Sequence, residues 1–210
     1  MSKYLDLRND LDFEKLQEPA QIIKQGGLVV FPTETVYGIG TNGLDEKAIR
    51  RLYEVKKRPF TKPISLLVSN IEMVEQIAKD ITDIEYKIMQ AFFPGPLTII
   101  LKKKKAISNM LTANSDTVGI RMPKGKVARK ILEYANIPIA TPSANISGKP
   151  SGTNIQSIMK DFENKVEYYV DTGESEIGTS STIVKVVNGV PTILRQGSIT
   201  KEQIDSILRK

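Results

Sequence analysis

Residues 28–40 read Leu28-Val29-Val30-Phe31-Pro32-Thr33-Glu34-Thr35-Val36-Tyr37-Gly38-Ile39-Gly40. Four consecutive apolar residues form the pattern of a short strand buried on both faces, and Pro32 ends it by withdrawing a backbone donor. A polar cluster follows at once: two threonines flanking a glutamate, then two glycines. Ligands of α/β proteins gather at the ends of buried strands, so this terminus is a candidate site for a small polar substrate. The same residues also fit a tight turn whose hydroxyls bond local backbone, and local chemistry alone favours the turn.

The flanking sequence alternates helical and extended patterns. Upstream, 11–25 has helical spacing stopped by Gly26-Gly27, although Pro19 argues against one unbroken helix. Downstream, Asp45 caps a helix whose Ala48, Ile49, Leu52, Tyr53 and Val55 share one side. A buried strand is predicted over 64–68, then helices over 71–78 and 84–92 capped by Asn70 and Asp83. Strands over 97–101 and 118–122, a helix over 126–134 and a strand over 137–141 come next. A helix over 154–162 and strands over 168–171, 182–187 and 192–194 lead to the capping box Thr200-Lys201-Glu202-Gln203, which opens a last helix. With no repeat and no linker, the expectation is one α/β (α+β) domain over 1–210: an open, twisted, mixed sheet flanked by helices.

Composition narrows the chemistry. The 210 residues contain no cysteine and no histidine, which removes thiolate metal sites, cysteine nucleophiles, Ser-His-Asp triads and imidazole acid–base steps. Thirty Lys and Arg against 24 Asp and Glu give a charge of +6 and suggest an anionic partner, whether nucleotide, phosphate or RNA. No stretch reads as a signal peptide or a membrane span, so a cytoplasmic location without membrane contact is expected.

Three more polar groups sit at predicted strand or helix ends. Lys56-Lys57-Arg58-Pro59-Phe60-Thr61-Lys62-Pro63 carries four cations on a segment that two prolines stiffen. Such cations suit a triphosphate; a basic helix end favoured by the macrodipole is the plainer account. Residues 139–153 run from an apolar strand into a loop of three serines, two threonines and an asparagine, rich in neutral donors and acceptors. Thr117 with Arg121, Ser181 and Arg195 form a fourth, looser group. The Lys102–Lys105 run reads as a solvated turn or edge guard, and the Gly38-Ile39-Gly40…Gly43 pattern as no dinucleotide site, since no helix opens directly after it.

In order along the chain, Phe31-Pro32-Thr33-Glu34-Thr35-Val36-Tyr37-Gly38, Lys56-x-Arg58, Thr117-Val118-Gly119-Ile120-Arg121-Met122-Pro123, Ser143-x-Asn145, Ser180-Ser181-Thr182-Ile183-Val184 and Leu194-Arg195-Gln196-Gly197 resemble the blocks of the YrdC/TsaC family of threonylcarbamoyl-AMP synthases. The resemblance covers about residues 16–199. It implies a large basic cavity on one side of the sheet and a reaction of L-threonine, bicarbonate and ATP that releases pyrophosphate, with Mg2+ accompanying the nucleotide. It further implies a role in tRNA modification, supplying a downstream threonylcarbamoyl-transferase machinery. By that resemblance Lys56, Arg58, Ser143 and Asn145 form the catalytic signature. Arg58, Lys62, Thr117, Ser143, Ser151 and Arg195 would hold ATP, and Thr35, Arg121, Thr141 and Ser181 would hold threonine, with no protein metal site. The sequence departs from the pattern at Leu67, where many members carry a histidine that helps hold threonine. The accessory C-terminal domain of longer members is also expected to be absent. The alternative reading, from charge, is a double-stranded RNA or tRNA-binding module without catalysis.

Overall fold

Side chains alternate between the two sides of a strand, so strands apolar at successive positions require a core on each face of the sheet. The computed structural model, which describes residues 2–151 and 154–209, contains two such cores. The strands are β1 (Lys3–Asp6), β2 (Val29–Phe31), β3 (Gly38–Asn42), β4 (Leu66–Leu67), β5 (Leu97–Lys102), β6 (Thr117–Arg121), β7 (Ile139–Ala140), β8 (Tyr168–Asp171), β9 (Thr182–Val187) and β10 (Val190–Arg195). They form one open mixed sheet in the order β1-β8-β2-β3-β7-β4-β6-β5-β9-β10.

Seven helices flank it: α1 (Gln17–Lys24), α2 (Glu46–Lys56), α3 (Ile71–Ile77), α4 (Asp83–Phe92), α5 (Lys126–Ala135), α6 (Ile155–Phe162) and α7 (Lys201–Leu208). On one face, Val30, Ile39, Leu66, Leu97, Ile99, Ile120 and Tyr169 pack against the buried sides of α2, α3, α4, α6 and α7. On the other, Val29, Phe31, Leu67, Ile139, Tyr168 and Val170 meet α1 and α5. The α5 side chains in that core, Val127, Ala128, Ile131, Leu132 and Ala135, recur at helical spacing. The second face is covered over only half the sheet. Over β6, β5 and β9 its residues Ile100, Thr117, Gly119 and Ile183 stay partly exposed; the candidate residues Thr117 and Arg121 lie at the two ends of β6, Ser181 just before β9, and Arg195 at the end of the neighbouring β10.

Several sequence expectations shift for local reasons. The 11–25 segment divides into a 3-10 turn (Phe13–Leu16) and α1. Pro19 is tolerated because it falls in the first turn of α1, where its missing N–H has no helical partner to lose. Asp83 is not the cap of α4: Thr82 is, through a capping box with Glu85. The strand expected over 64–68 pairs only at Leu66–Leu67, and that over 137–141 only at Ile139–Ala140. β1 had no signal, being mostly exposed at the sheet edge beside β8. The glycine pattern at Gly38–Gly40 is strand β3 rather than a loop. A side chain at Gly40 would lie 2.6 Å from the Phe31 ring, so glycine is what allows β2 and the Phe31 side chain to close on β3. No helix among the described residues is long and apolar enough to cross a membrane.

Tyr37 ties the polar segment after β2 to the end of β8. Its buried hydroxyl donates to Gly173 O (2.7 Å), lies 3.1 Å from Asp171 Oδ1 and accepts from Thr172 N. Tyr37→Phe strands the carboxylate of Asp171, itself 1% exposed, with one partner fewer. Urea unfolding should report a loss of about 1–3 kcal/mol; an unchanged midpoint would mean that water replaces the hydroxyl.

Candidate active site

α2 ends in a motif that aims two cations. Lys57 adopts a left-handed backbone (φ 50°), and Arg58 N bonds Tyr53 O while Lys57 N bonds Glu54 O. These are the two hydrogen bonds of a Schellman cap, with lysine where glycine is usual. Lys56, on the last turn, is consequently buried, 1% exposed. Its ammonium donates to Ser143 O (2.5 Å) and Asn145 O (2.5 Å). Ser143 Oγ in turn donates to Asn145 Oδ1 (2.5 Å), and the Asn145 amide donates to Ile146 O and Lys149 O. Three members of the expected signature, from α2 and the loop after β7, therefore form one hydrogen-bonded cluster. Gly152 and Thr153, at the end of that loop, lie outside the described residues.

Arg58 is fixed by its own loop: Nε donates to Lys62 O (3.0 Å) and Nη2 to Pro63 O (2.7 Å). The prolines and the guanidinium together brace the segment. Burial pulls the Arg58 guanidinium below its usual range, and Arg58 adds its repulsion to the burial that depresses Lys56. Arg195 is pulled down by partial desolvation and then by the guanidiniums of Arg121 and Arg58. Charges from α2, β6 and β10 thus converge closely enough to repel one another, an arrangement that favours an anion between them.

Two further networks flank this convergence. Thr35 Oγ1 accepts from Arg121 Nη1 (2.8 Å), while Arg121 Nε donates to Gly95 O (3.2 Å). Glu34 Oε1 lies 2.8 Å from Arg121 Nη2, but the two are misaligned, and neither atom has a hydrogen-bond partner among the described residues. Burial pushes the Glu34 carboxyl up, yet the Arg121 charge and backbone N–H donors outweigh it and leave it below the usual carboxylate range. At the start of β9, Ser181 Oγ accepts from Arg195 Nη2 (3.1 Å) and lies 2.8 Å from Thr98 Oγ1. Thr98, buried on β5, went unremarked in the sequence; its signal was a hydroxyl inside the apolar run 97–101.

Other expected residues are less closely joined. Thr117 shares a strand face with Arg121 but lies four residues, about 13 Å, along β6 and bonds Ser115 instead. Thr141 Oγ1 turns back to Ile139 O, Lys62 is exposed, and Ser151 is partly exposed. Leu67 is buried beneath α5 beside Arg121 in register. Of two clefts of about 430 and 420 Å³, the first, ringed by Lys79 and Lys102–Lys105, lies elsewhere, and the second, lined by Thr33, Glu34, Lys124, Lys126 and Glu174–Glu176, borders the site on the Glu34 side. Neither has Lys56, Arg58, Ser143 or Arg195 in its wall.

Burial brings the Lys56 ammonium down from 10.5 to about 7. Between those values the unfolded chain holds a proton that the folded chain has released, so folding gains stability as pH rises from about 7 toward 10.5. The stability of the natural chain relative to Lys56→Met, measured by urea unfolding, should therefore grow over that interval. A flat difference would mean that the two carbonyls keep Lys56 charged.

The chain matches the Sua5/YciO/YrdC family, described as Telomere recombination, over residues 21–197. It is 39% identical over 208 residues to the threonylcarbamoyl-AMP synthase of Pyrococcus abyssi (strain GE5 / Orsay), covering 99% of this chain and 61% of that protein. To the threonylcarbamoyl-AMP synthase of Bacillus subtilis (strain 168) it is 36% identical, covering 98% of this chain and 60% of that one. The crystal structure of P. abyssi Sua5 complexed with L-threonine superposes with a TM-score of 0.95 at 39% identity, over 99% of this chain and 61% of that one. Escherichia coli YciO, at 20% identity and a TM-score of 0.86, shares the fold. The chain thus spans about three-fifths of the length of the first two relatives. Over that length, with the shared fold and the ordered sequence blocks, the chain belongs to the Sua5/YciO/YrdC family.

Proposed function

We propose that this chain makes threonylcarbamoyl-AMP from L-threonine, bicarbonate and ATP, releasing pyrophosphate, as an intermediate for tRNA modification. The observation that carries the reading is the clustering of Lys56, Ser143 and Asn145 beside the converging guanidiniums of Arg58, Arg121 and Arg195. That set offers fixed positive charge and neutral donors to a phosphate chain. Relatives of known name and a threonine-bound neighbour support the choice of substrates.

The reaction needs two bonds made. The threonine amine loses a proton and its nitrogen bonds to the carbon of CO2, or to that of bicarbonate as a C–O bond breaks and water leaves, giving a carbamate. A carbamate oxygen then attacks the α-phosphorus of ATP, and the bond from that phosphorus to the bridging oxygen breaks as pyrophosphate leaves. Transfer of this kind depends on alignment and charge neutralisation more than on a strong base, which suits a chain without histidine. In this reading Arg58 and Arg195 neutralise the phosphates, with Lys62, Ser151 and Thr117 as outer contacts, while Ser143 and Asn145 orient them and Lys56 holds that loop in place. Arg121, Thr35, Ser181 and Thr141 receive threonine, the guanidinium taking its carboxylate. Leu67 has no polar group to offer the substrate, so discrimination against serine rests on the remaining contacts. Magnesium would accompany the nucleotide. Among the described residues no three acidic side chains converge into a metal cage, so the ion would be held by the phosphates, and no step here is drawn through it.

A basic RNA-binding module without catalysis does not account for a buried lysine clamped to a hydroxyl-rich loop; phosphate contacts along RNA call for exposed cations. In the catalytic reading, pyrophosphate release from the full chain with ATP and magnesium requires both threonine and bicarbonate. Release independent of either substrate would end the proposal. Arg58→Ala should lower kcat/KM for ATP by about 10- to 100-fold while leaving the fold intact. Near-natural turnover would make Arg58 a surface charge.

A further inference from the structure

Thr98 is 3% exposed and Ser181 is 4% exposed, and their hydroxyls meet on the open half of the sheet. The neighbours fix which way the protons run. Arg195 can only donate, and its Nη2 gives a hydrogen bond to Ser181 Oγ, with Nε and Nη2 also donating to Ser181 O (3.1 and 2.8 Å). Among the described residues the Thr98 hydroxyl has Ser181 Oγ as its hydrogen-bond partner and no other. A buried hydroxyl hydrogen without an acceptor is costly, so Thr98 donates to Ser181. Both lone pairs of Ser181 Oγ are then occupied, and its remaining capacity is a single O–H donor.

Gly119 explains why Thr98 can do this. On β6 it faces the same side as Arg121, and a side chain there would come within 2.6 Å of Ser65 Oγ and 3.2 Å of Thr98 Cγ2. The Thr98 methyl therefore lies over the bare glycine. With two substituents on its Cβ the side chain has little rotational freedom, and the hydroxyl is left directed at β9.

We propose that Thr98 is a positioning residue that commits the Ser181 hydroxyl to donate toward a carboxylate or carbamate oxygen of the bound amino acid. This rests on the reading of the site as a threonine site. Ser181 then discriminates for an anionic group and against an ammonium, complementing the nearby guanidiniums of Arg121 and Arg195.

The test compares the natural 210-residue chain with Thr98→Val, which keeps the shape and removes the hydroxyl, and Thr98→Ser, which keeps the hydroxyl. Threonine- and bicarbonate-dependent pyrophosphate release by the natural chain checks the underlying reading first; failure there removes the reading and the proposal together. Given that activity, Thr98→Val should raise KM for threonine about tenfold with KM for ATP within about twofold, and Thr98→Ser should return the threonine KM to within about threefold of natural. A threonine KM unchanged in Thr98→Val overturns the proposal alone. So does equal impairment of both variants, or a parallel rise in both KM values, because each marks packing rather than proton direction. Thermal unfolding of the variants confirms that the comparison is between folded proteins.

Discussion

A lysine ammonium buried to 1% exposure and held by two loop carbonyls is the contact on which the arrangement of the site depends. Removing a charge from water is expensive unless hydrogen bonds replace the lost hydration, so Lys56 can occupy this position only while Ser143 O and Asn145 O face it. The dependence runs both ways. The loop after β7 carries hydroxyl and amide groups with many alternative partners, and the ammonium selects one conformation among them. Arg58, two residues on, is held separately, by the carbonyls of Lys62 and Pro63.

The second constraint is the uneven cover of the sheet. Helices α1 and α5 bury one half of the second face and leave the half made by β6, β5 and β9 without a helix. An uncovered sheet face would ordinarily expose apolar side chains. Here the positions that alternate onto it mix Thr98, Thr117, Gly119 and Arg121 with only two isoleucines, Ile100 and Ile183, so polar groups and a bare glycine interrupt the apolar surface where no helix protects it. Converging guanidiniums on such a surface destabilise the empty protein by mutual repulsion, and an anionic ligand relieves that cost, a common trade between stability and binding.

Glu34 couples the site to the covered half of the sheet. Its carboxylate lies 2.8 Å from Arg121 but is misaligned with it, and it also accepts from Gly125 N at the start of α5. The buried pair offsets part of the Arg121 charge, and that charge keeps the carboxyl below its usual range. Because α5 is a core helix, the position of Glu34 is coupled to packing on the covered half of the sheet. The strap from β8 to β9 is tied in as well, through Ile177 N to Glu34 O. The polar segment after β2 is thus less a loop than a junction among β2, α5 and that strap. Tyr37 adds its own bond to the end of β8.

Much of this was legible from residue order. Periodicity and caps located α2, α3, α5, α6 and α7 to within a residue or two, because buried stripes and capping side chains are local properties. The alternation of strands with helices gave an α/β sheet, and the absence of cysteine and histidine excluded whole classes of chemistry. The ordered polar blocks named the family and most of the residues that converge. Strand β1, the strand nature of Gly38–Asn42 and the polar role of Thr98 were not legible, since edge exposure, a close ring contact and a cross-strand hydroxyl are all set by neighbours distant in sequence. Which hydroxyls bond one another, that Lys56 is clamped inward while Arg58 is braced by its own loop, and that Arg121 lies within electrostatic range of Arg195 were decided by tertiary structure alone. Sequence spacing constrains a chain over a few residues; only the folded sheet brings α2, β5, β6, β9 and the loop after β7 within hydrogen-bonding and electrostatic range.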